Sequence, residues 1–304
     1  MVKIFMKILE YLLWFDCPNK CNYCFFRNIN RFSDKNSKIN AIEYALKGIK
    51  STNWDKDYNE IALVGGEIFS NLFSDNINSK LKELISTIIE LIKQNKVKKL
   101  FLLTALLEKT DMLSWVIQQI KDNNLFNNIS INTSWDLKYR FNENNRNIWK
   151  DNIQLLKDNN ITYHIEMILS QFMIESVLEN NDEVIDILKL DNIDLLRTEL
   201  PINTDKNFVD DFFPKRDDFL SFIKILHKIN KPLFNRLCDQ ESRAKTIHII
   251  PFKQVRYRDY NNFIEDINKN NLSKCGHDKM YACYSDSDKC LICDIKRVQK
   301  LYEA

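Results

Sequence analysis

Short apolar runs alternate along this chain with stretches whose apolar positions recur every three or four residues. The runs predict strands and the stripes predict helices. Residues 8–15 form the first run, and a polar stretch, 28–40, reads as a loop before a helix at 41–49. Residues 61–64 are a second strand that closes on Gly65-Gly66-Glu67. A helix over 79–95 carries Leu81, Leu84, Ile85, Ile88, Ile89 and Ile92 on one face. Strand three is read at 99–104, a helix at 111–123 with Asp111 as N-cap, and strand four at 129–136. A helix at 144–159, strand five at 161–170, a helix at 182–190, strand six at 193–200 and a helix at 217–230 complete the series. Strands that alternate with helices of this length call for parallel pairing through right-handed crossovers. The predicted fold class is therefore α/β, with six units curling into a partial (β/α)6 barrel over 1–230. From about Lys231 the alternation is lost, and 231–304 is read as a C-terminal extension.

Strands buried on both faces should be nearly continuous apolar runs, and three of these are not. Ser130, Asn132, Ser134 and Asp136 alternate with Ile129, Ile131, Thr133 and Trp135. Thr162, His164 and Glu166 alternate with Tyr163, Ile165 and Met167, and Arg197 and Glu199 share one face of strand six. Side chains alternate across a strand, so the apolar set can face the helices while the polar set lines the barrel. Buried polar groups need partners, and the inner face is expected to hold a polar ligand. An antiparallel sheet with one wet face is the alternative, made less attractive by the intervening helices.

Cysteine changes this picture most. Eight are present, and Cys17, Cys21 and Cys24 stand at C-x3-C-x2-C spacing on the loop after the first strand. Cys275, Cys283, Cys290 and Cys293 form a second group ending in C-x2-C, while Cys238 stands alone as a small hydrophobe. Clustered cysteines in a chain of 304 residues with no signal-peptide pattern read as metal ligands in a reducing, cytoplasmic setting. Three thiolates can hold three corners of an iron–sulfur cube; a zinc knuckle is the competing reading. For the second group, one zinc held by four thiolates is the expected metal, and an auxiliary [4Fe-4S] cluster the alternative.

With Tyr23 just before its third cysteine, the first motif strongly resembles that of the radical S-adenosylmethionine (SAM) superfamily. Gly65-Gly66-Glu67 resembles the Gly-Gly-Glu that follows the second strand there, although Ile68 stands where proline is common. Thr104 matches one position of a Thr-Asn-Gly-like turn, but Ala105 and Leu106 follow it. The resemblance implies a partial barrel of radical SAM type with a [4Fe-4S] cluster on Cys17, Cys21 and Cys24. It implies SAM bound by Tyr23, Gly65, Gly66, Glu67 (amino group), Thr104, Asn132, Ser134, Asp136 and Glu166. His164, Arg197 and Glu199 are substrate candidates, although a strand histidine is often structural and Arg197 and Glu199 could pair together. The implied activity is reductive SAM cleavage to a 5′-deoxyadenosyl radical, fed by an external one-electron reductant of flavodoxin or ferredoxin type. The compact barrel, polar lumen and short cysteine-rich extension suit a small, polar, nucleobase-like substrate; the chain also resembles queuine lyase, without a diagnostic motif to carry it, and that resemblance implies a 7-deazapurine. A peptide-modifying maturase and a non-catalytic zinc and iron–sulfur module remain open.

Charge and hydropathy argue against a dedicated nucleic-acid binder and against a membrane span, while leaving a nucleotide-like substrate open. With 44 basic and 42 acidic side chains the net charge is +2, too small a field for a dedicated nucleic-acid binder. No stretch approaches the roughly 18 uninterrupted apolar residues of a membrane span.

Overall fold

A computed structural model describes residues 8–19, 21–24, 34–54, 58–196, 211–212, 214–238 and 246–249. Along these run β1 (Ile8–Leu12), α1 (Lys35–Ser51), β2 (Glu60–Val64), α2 (Asp75–Lys93), β3 (Lys99–Leu103), α3 (Asp111–Asp122), β4 (Ile129–Trp135) and α4 (Glu143–Asp158). There follow β5 (Tyr163–Ile168), α5 (Gln171–Leu178), α6 (Asp182–Leu188), β6 (Ile193–Leu196), α7 (Arg216–Ile229), α8 (Lys231–Cys238) and β7 (Thr246–Ile249). The strands form one sheet in the order β6-β5-β4-β3-β2-β1-β7, and every neighbouring pair is parallel. The α/β class and the partial-barrel architecture follow from this arrangement.

Register explains how the sheet divides its faces. Leu9, Ile61, Leu100 and Ile129 are laterally aligned and buried, as are Thr133 and Ile165. They pack in one continuous core with the apolar stripes of the helices, among them Leu81, Leu84, Ile85 and Ile88 of α2 and Val116 and Ile120 of α3. Gly48 of α1 lies so close to β1 that a Cβ there would stand 2.6 Å from the Tyr11 hydroxyl. The opposite face is less covered. Leu12, Val64, Phe101 and Leu103 are half-buried on its β1–β3 side, and Asn132, Ser134, His164, Glu166 and Asp194 on its β4–β6 side. The inner surface therefore has an apolar wall and a polar wall.

Side-chain caps set several of the helix starts. Asp34 accepts from Ser37 N, Asn142 forms a reciprocal box with Asn145, and Ser170 accepts from Met173 N. At the other end, Asn95, Asn124, Asn160 and Asn180 have φ of 58°, 54°, 56° and 58° just past α2, α3, α4 and α5. Asparagine here takes the left-handed cap position that glycine usually fills. Lys96 N then bonds Leu91 O and Leu125 N bonds Ile120 O, both at 2.9 Å, closing the last turn.

Several expectations are corrected. α1 begins at Lys35, inside the stretch read as a loop, because Asp34 caps it. The cap of α3 is Thr110, which accepts from Leu113 N, and Asp111 lies in the first turn. α5 was not expected; its eight residues are too few to display a helical period. Nor does the alternation stop at Lys231, since α8 follows and β7 adds a seventh strand alongside β1.

Candidate functional site

Parallel strands deliver all their exit loops to one end of the sheet. The loop leaving β1 carries Cys17, Cys21 and Cys24 and is clamped by the loop leaving β2. Leu13 N donates to Val64 O at 2.8 Å, Gly66 N to Trp14 O at 2.9 Å and Glu67 N to Asp16 O at 3.0 Å. The Trp14 indole Nε1 answers by donating to Glu67 O at 2.7 Å. Contact is so close that a Cβ on Gly66 would lie 2.2 Å from the Asp16 carbonyl oxygen. Its φ is not positive; glycine is needed here because backbone meets backbone. From the other side Lys38 of α1, its side chain 5% exposed, ion-pairs with Asp16 at 2.8 Å.

Glu67 extends the clamp to β3. Its carboxylate accepts from Phe69 N and the Thr104 hydroxyl on one oxygen and from Ala105 N on the other, each at 2.7 Å. Thr104 Oγ1 in turn accepts from Leu106 N at 3.3 Å, in a turn where Leu106 has φ 55°. Burial pushes the Glu67 pKa up, against these three donors, which favour the charged form. Glu67 and Thr104, two of the residues expected to meet SAM, thus turn their side-chain oxygens toward the chain itself.

The three cysteines are free thiols, Cys21 buried and Cys17 and Cys24 half-buried, with Cys24 N donating to Cys21 O at 3.0 Å. Burial pushes Cys17 up to about 12 and raises Cys21 as well; Arg140 opposes the rise at both. Among the described residues no three His, Cys, Asp or Glu side chains converge on one ion position. Ligands of a cube need not do so, because each cysteine takes its own iron corner. Three thiols on one clamped loop fit three corners of a [4Fe-4S] cluster.

Tyr23, in the same loop, is 6% exposed and packs against Tyr139 and Phe212, with ring centroids 6.2 and 5.7 Å apart. Tyr139 lies in the loop leaving β4, where the buried Asp136 carboxylate accepts from Lys138 N at 2.9 Å and Tyr139 N at 2.5 Å. Deeper on the inner face, Ser130 Oγ donates to Asn132 Oδ1 at 2.7 Å, and Asn132 is level with His164. Ser134, Glu166 and Asp194 align across three strands. His164 Nε2 lies 3.3 Å from Asp194 Oδ2, whose other oxygen accepts from Arg236 Nε at 2.8 Å. Despite burial, His164 and Arg236 hold Asp194 down to about 2.

The cysteines, Tyr23, Gly65, Gly66, Glu67, Thr104 and Asp136 thus gather at the C-terminal mouth, while Asn132, Ser134, His164 and Glu166 line the wall below. Arg197, Glu199 and the four C-terminal cysteines lie outside the described residues. Sequence reading missed Trp14, Lys38, Arg140 and Asp194. Asp194 was detectable, since it breaks the apolar run of β6; Arg140, isolated in a loop, carried no signal.

Native anSMEcpe with bound AdoMet and Kp18Cys peptide superposes with a TM-score of 0.52 at 15% identity, over 79% of this chain and 63% of that one. Native anSMEcpe with bound AdoMet gives 0.51 at 15% identity, over 86% and 66%. The fold is that of the radical SAM barrels. The present chain spans just under two thirds of those two structures' length. No family model matches the sequence, and no curated protein does. Among the described residues, no helix of this radical SAM-type barrel is long and apolar enough to cross a membrane.

Proposed function

We propose that the chain is a radical SAM enzyme. The observation that carries this reading is the placing of Cys17, Cys21 and Cys24 on a clamped loop at the C-terminal mouth of a radical SAM-type barrel. When bound there, a [4Fe-4S] cluster supplies the electron that cleaves SAM to methionine and a 5′-deoxyadenosyl radical. The chain's own residues bind, orient and shield. Cys17, Cys21 and Cys24 hold the cube. The 65–67 loop offers backbone groups to the SAM amino group, and Glu67 and Thr104 hold that loop in shape. Tyr23 shields the cysteines. Asn132, Ser134, Asp136 and Glu166 are assigned to the SAM ribose and its surroundings, and His164, Arg197 and Glu199 to the substrate. An external one-electron donor of flavodoxin or ferredoxin type completes the system.

For the substrate we favour a small molecule with one flat apolar face and a polar edge, as in a 7-deazapurine. The apolar wall of Leu12, Val64, Phe101 and Leu103 opposite the polar wall of β4–β6 supports this, and a queuine lyase-like C–C cleavage fits it. A peptide substrate is the second reading, favoured by the similar structure that holds a peptide. Cys275, Cys283, Cys290 and Cys293 are assigned one zinc on the first reading and an auxiliary cluster on the second.

Anaerobic reconstitution tests both. About four irons and one zinc per chain, with SAM cleaved under dithionite, is the expected result. Replacing Cys17, Cys21 and Cys24 by Ala should abolish iron uptake and cleavage together. A triple variant that still cleaves SAM would overturn the assignment. About eight irons and no zinc would put the peptide reading first. Absence of cleavage by the loaded wild-type chain would favour a non-catalytic module.

A further inference from the structure

Among the described residues, a cation stands at the mouth. Arg140 leaves the β4 exit turn just after Tyr139, whose ring packs on Tyr23. Its guanidinium lies beside the Tyr23 hydroxyl without meeting it in regular hydrogen-bond geometry, and its Nε is shut off from solvent with no hydrogen-bond partner. Its charge is felt at Cys17, Cys21, Tyr23, Glu67 and Asp136. Both nearby carboxylates are held by other donors than the guanidinium: Glu67 by Phe69 N, Ala105 N and the Thr104 hydroxyl, and Asp136 by the backbone of Lys138, Tyr139 and Arg140. A guanidinium does not lose its proton under physiological conditions, and Arg140 is half-buried, with Glu67 and Asp136 close enough to feel its charge.

The cysteines can add further negative charge beside it. Metal ligation requires thiolates, so a loaded site brings negative charge to the loop beside Arg140. We propose that Arg140 balances the charge of the three-cysteine site and thereby sets how readily a cluster held there accepts an electron. The inference rests on the radical SAM reading. The step is a one-electron reduction, [4Fe-4S]2+ plus one electron from an external donor giving [4Fe-4S]+, with no bond made or broken. Added negative charge is favoured by a nearby cation, so removing the cation makes reduction harder. Arg140 acts through the cluster's ligands and is a positioning residue in the electrostatic sense.

The test is a redox titration of the reconstituted full chain, without SAM, read by the electron paramagnetic resonance of the reduced cluster. Arg140→Gln should lower the ratio of reduced to oxidised cluster at the wild-type midpoint about tenfold, a downward shift of about 59 mV for one electron. Arg140→Lys, which keeps the charge, should stay near wild type. Asp136→Asn keeps an oxygen acceptor for Lys138 N and Tyr139 N but removes a negative charge, and should shift the midpoint upward; it serves as the measurement if Arg140→Gln does not fold. A folded Arg140→Gln that loses iron while Arg140→Lys retains it also supports the proposal. Equal midpoints for Arg140→Gln and wild type at equal iron content, equal shifts for Gln and Lys, or an Asp136→Asn midpoint that fails to rise would overturn it. A wild-type chain that takes up no iron would instead sink the radical SAM reading itself.

Discussion

At the scale of single residues, Glu67 holds three donors from two loops on one carboxylate. Both oxygens must accept, and only the ionised form can do that without turning a proton toward Ala105 N. Glu67→Gln puts an amide NH2 or a lone oxygen in that place, leaving one N–H facing a donor. The expected loss is about 2 kcal/mol, read as a lower urea midpoint with unchanged slope. A variant with the wild-type midpoint would show that the loops are held by something else. The Gly-Gly-Glu motif was legible in the sequence; the direction of its carboxylate was not, because a tripeptide does not say which donors another loop will bring. Gly66 makes the same point. Its absent side chain accommodates the Asp16 carbonyl, which lies 50 positions earlier in the chain.

At the scale of elements, the alternation of runs and stripes was enough to place six strands and most helices. The boundaries depended on finer chemistry. Four asparagines take the left-handed positions that end α2, α3, α4 and α5, in a chain with only 4 glycines. α5 and β7, eight and four residues long, are too short for periodicity to reveal. The β5–β6–α8 contact carries a measurable pH dependence. Asp194 is held at about 2 by His164 and Arg236, below the value near 3.9 of an unfolded chain. A depressed carboxyl stabilises the fold above its unfolded value and loses that contribution as pH falls through the folded one. Between pH 7 and pH 2.5 the wild type should therefore lose on the order of 1 kcal/mol more stability than Asp194→Asn, the pair being partly exposed and so screened. Parallel denaturation curves for the two proteins at both pH values would contradict the assignment.

At the scale of the whole molecule, the mouth is held by the chain's own bonds. Trp14, Glu67 and Thr104 join the exit loops of β1, β2 and β3, and Lys38 ties α1 to the residue before Cys17. A zinc finger, by contrast, has no fold until its metal arrives. The iron-free protein is accordingly expected to unfold in one cooperative transition when followed by the fluorescence of its buried Trp14, Trp135 and Trp149. A broad, gradual loss of signal would mean that iron organises the barrel.

The clamp between the first two exit loops has a further consequence, for damage and repair. On the radical SAM reading, oxygen that stripped iron from a cluster here would empty a container whose walls are expected to stand without the contents. Protein loaded with a cluster and then exposed to air should take up iron and sulfide again under reducing conditions without unfolding and refolding, so that one chain outlasts several fillings.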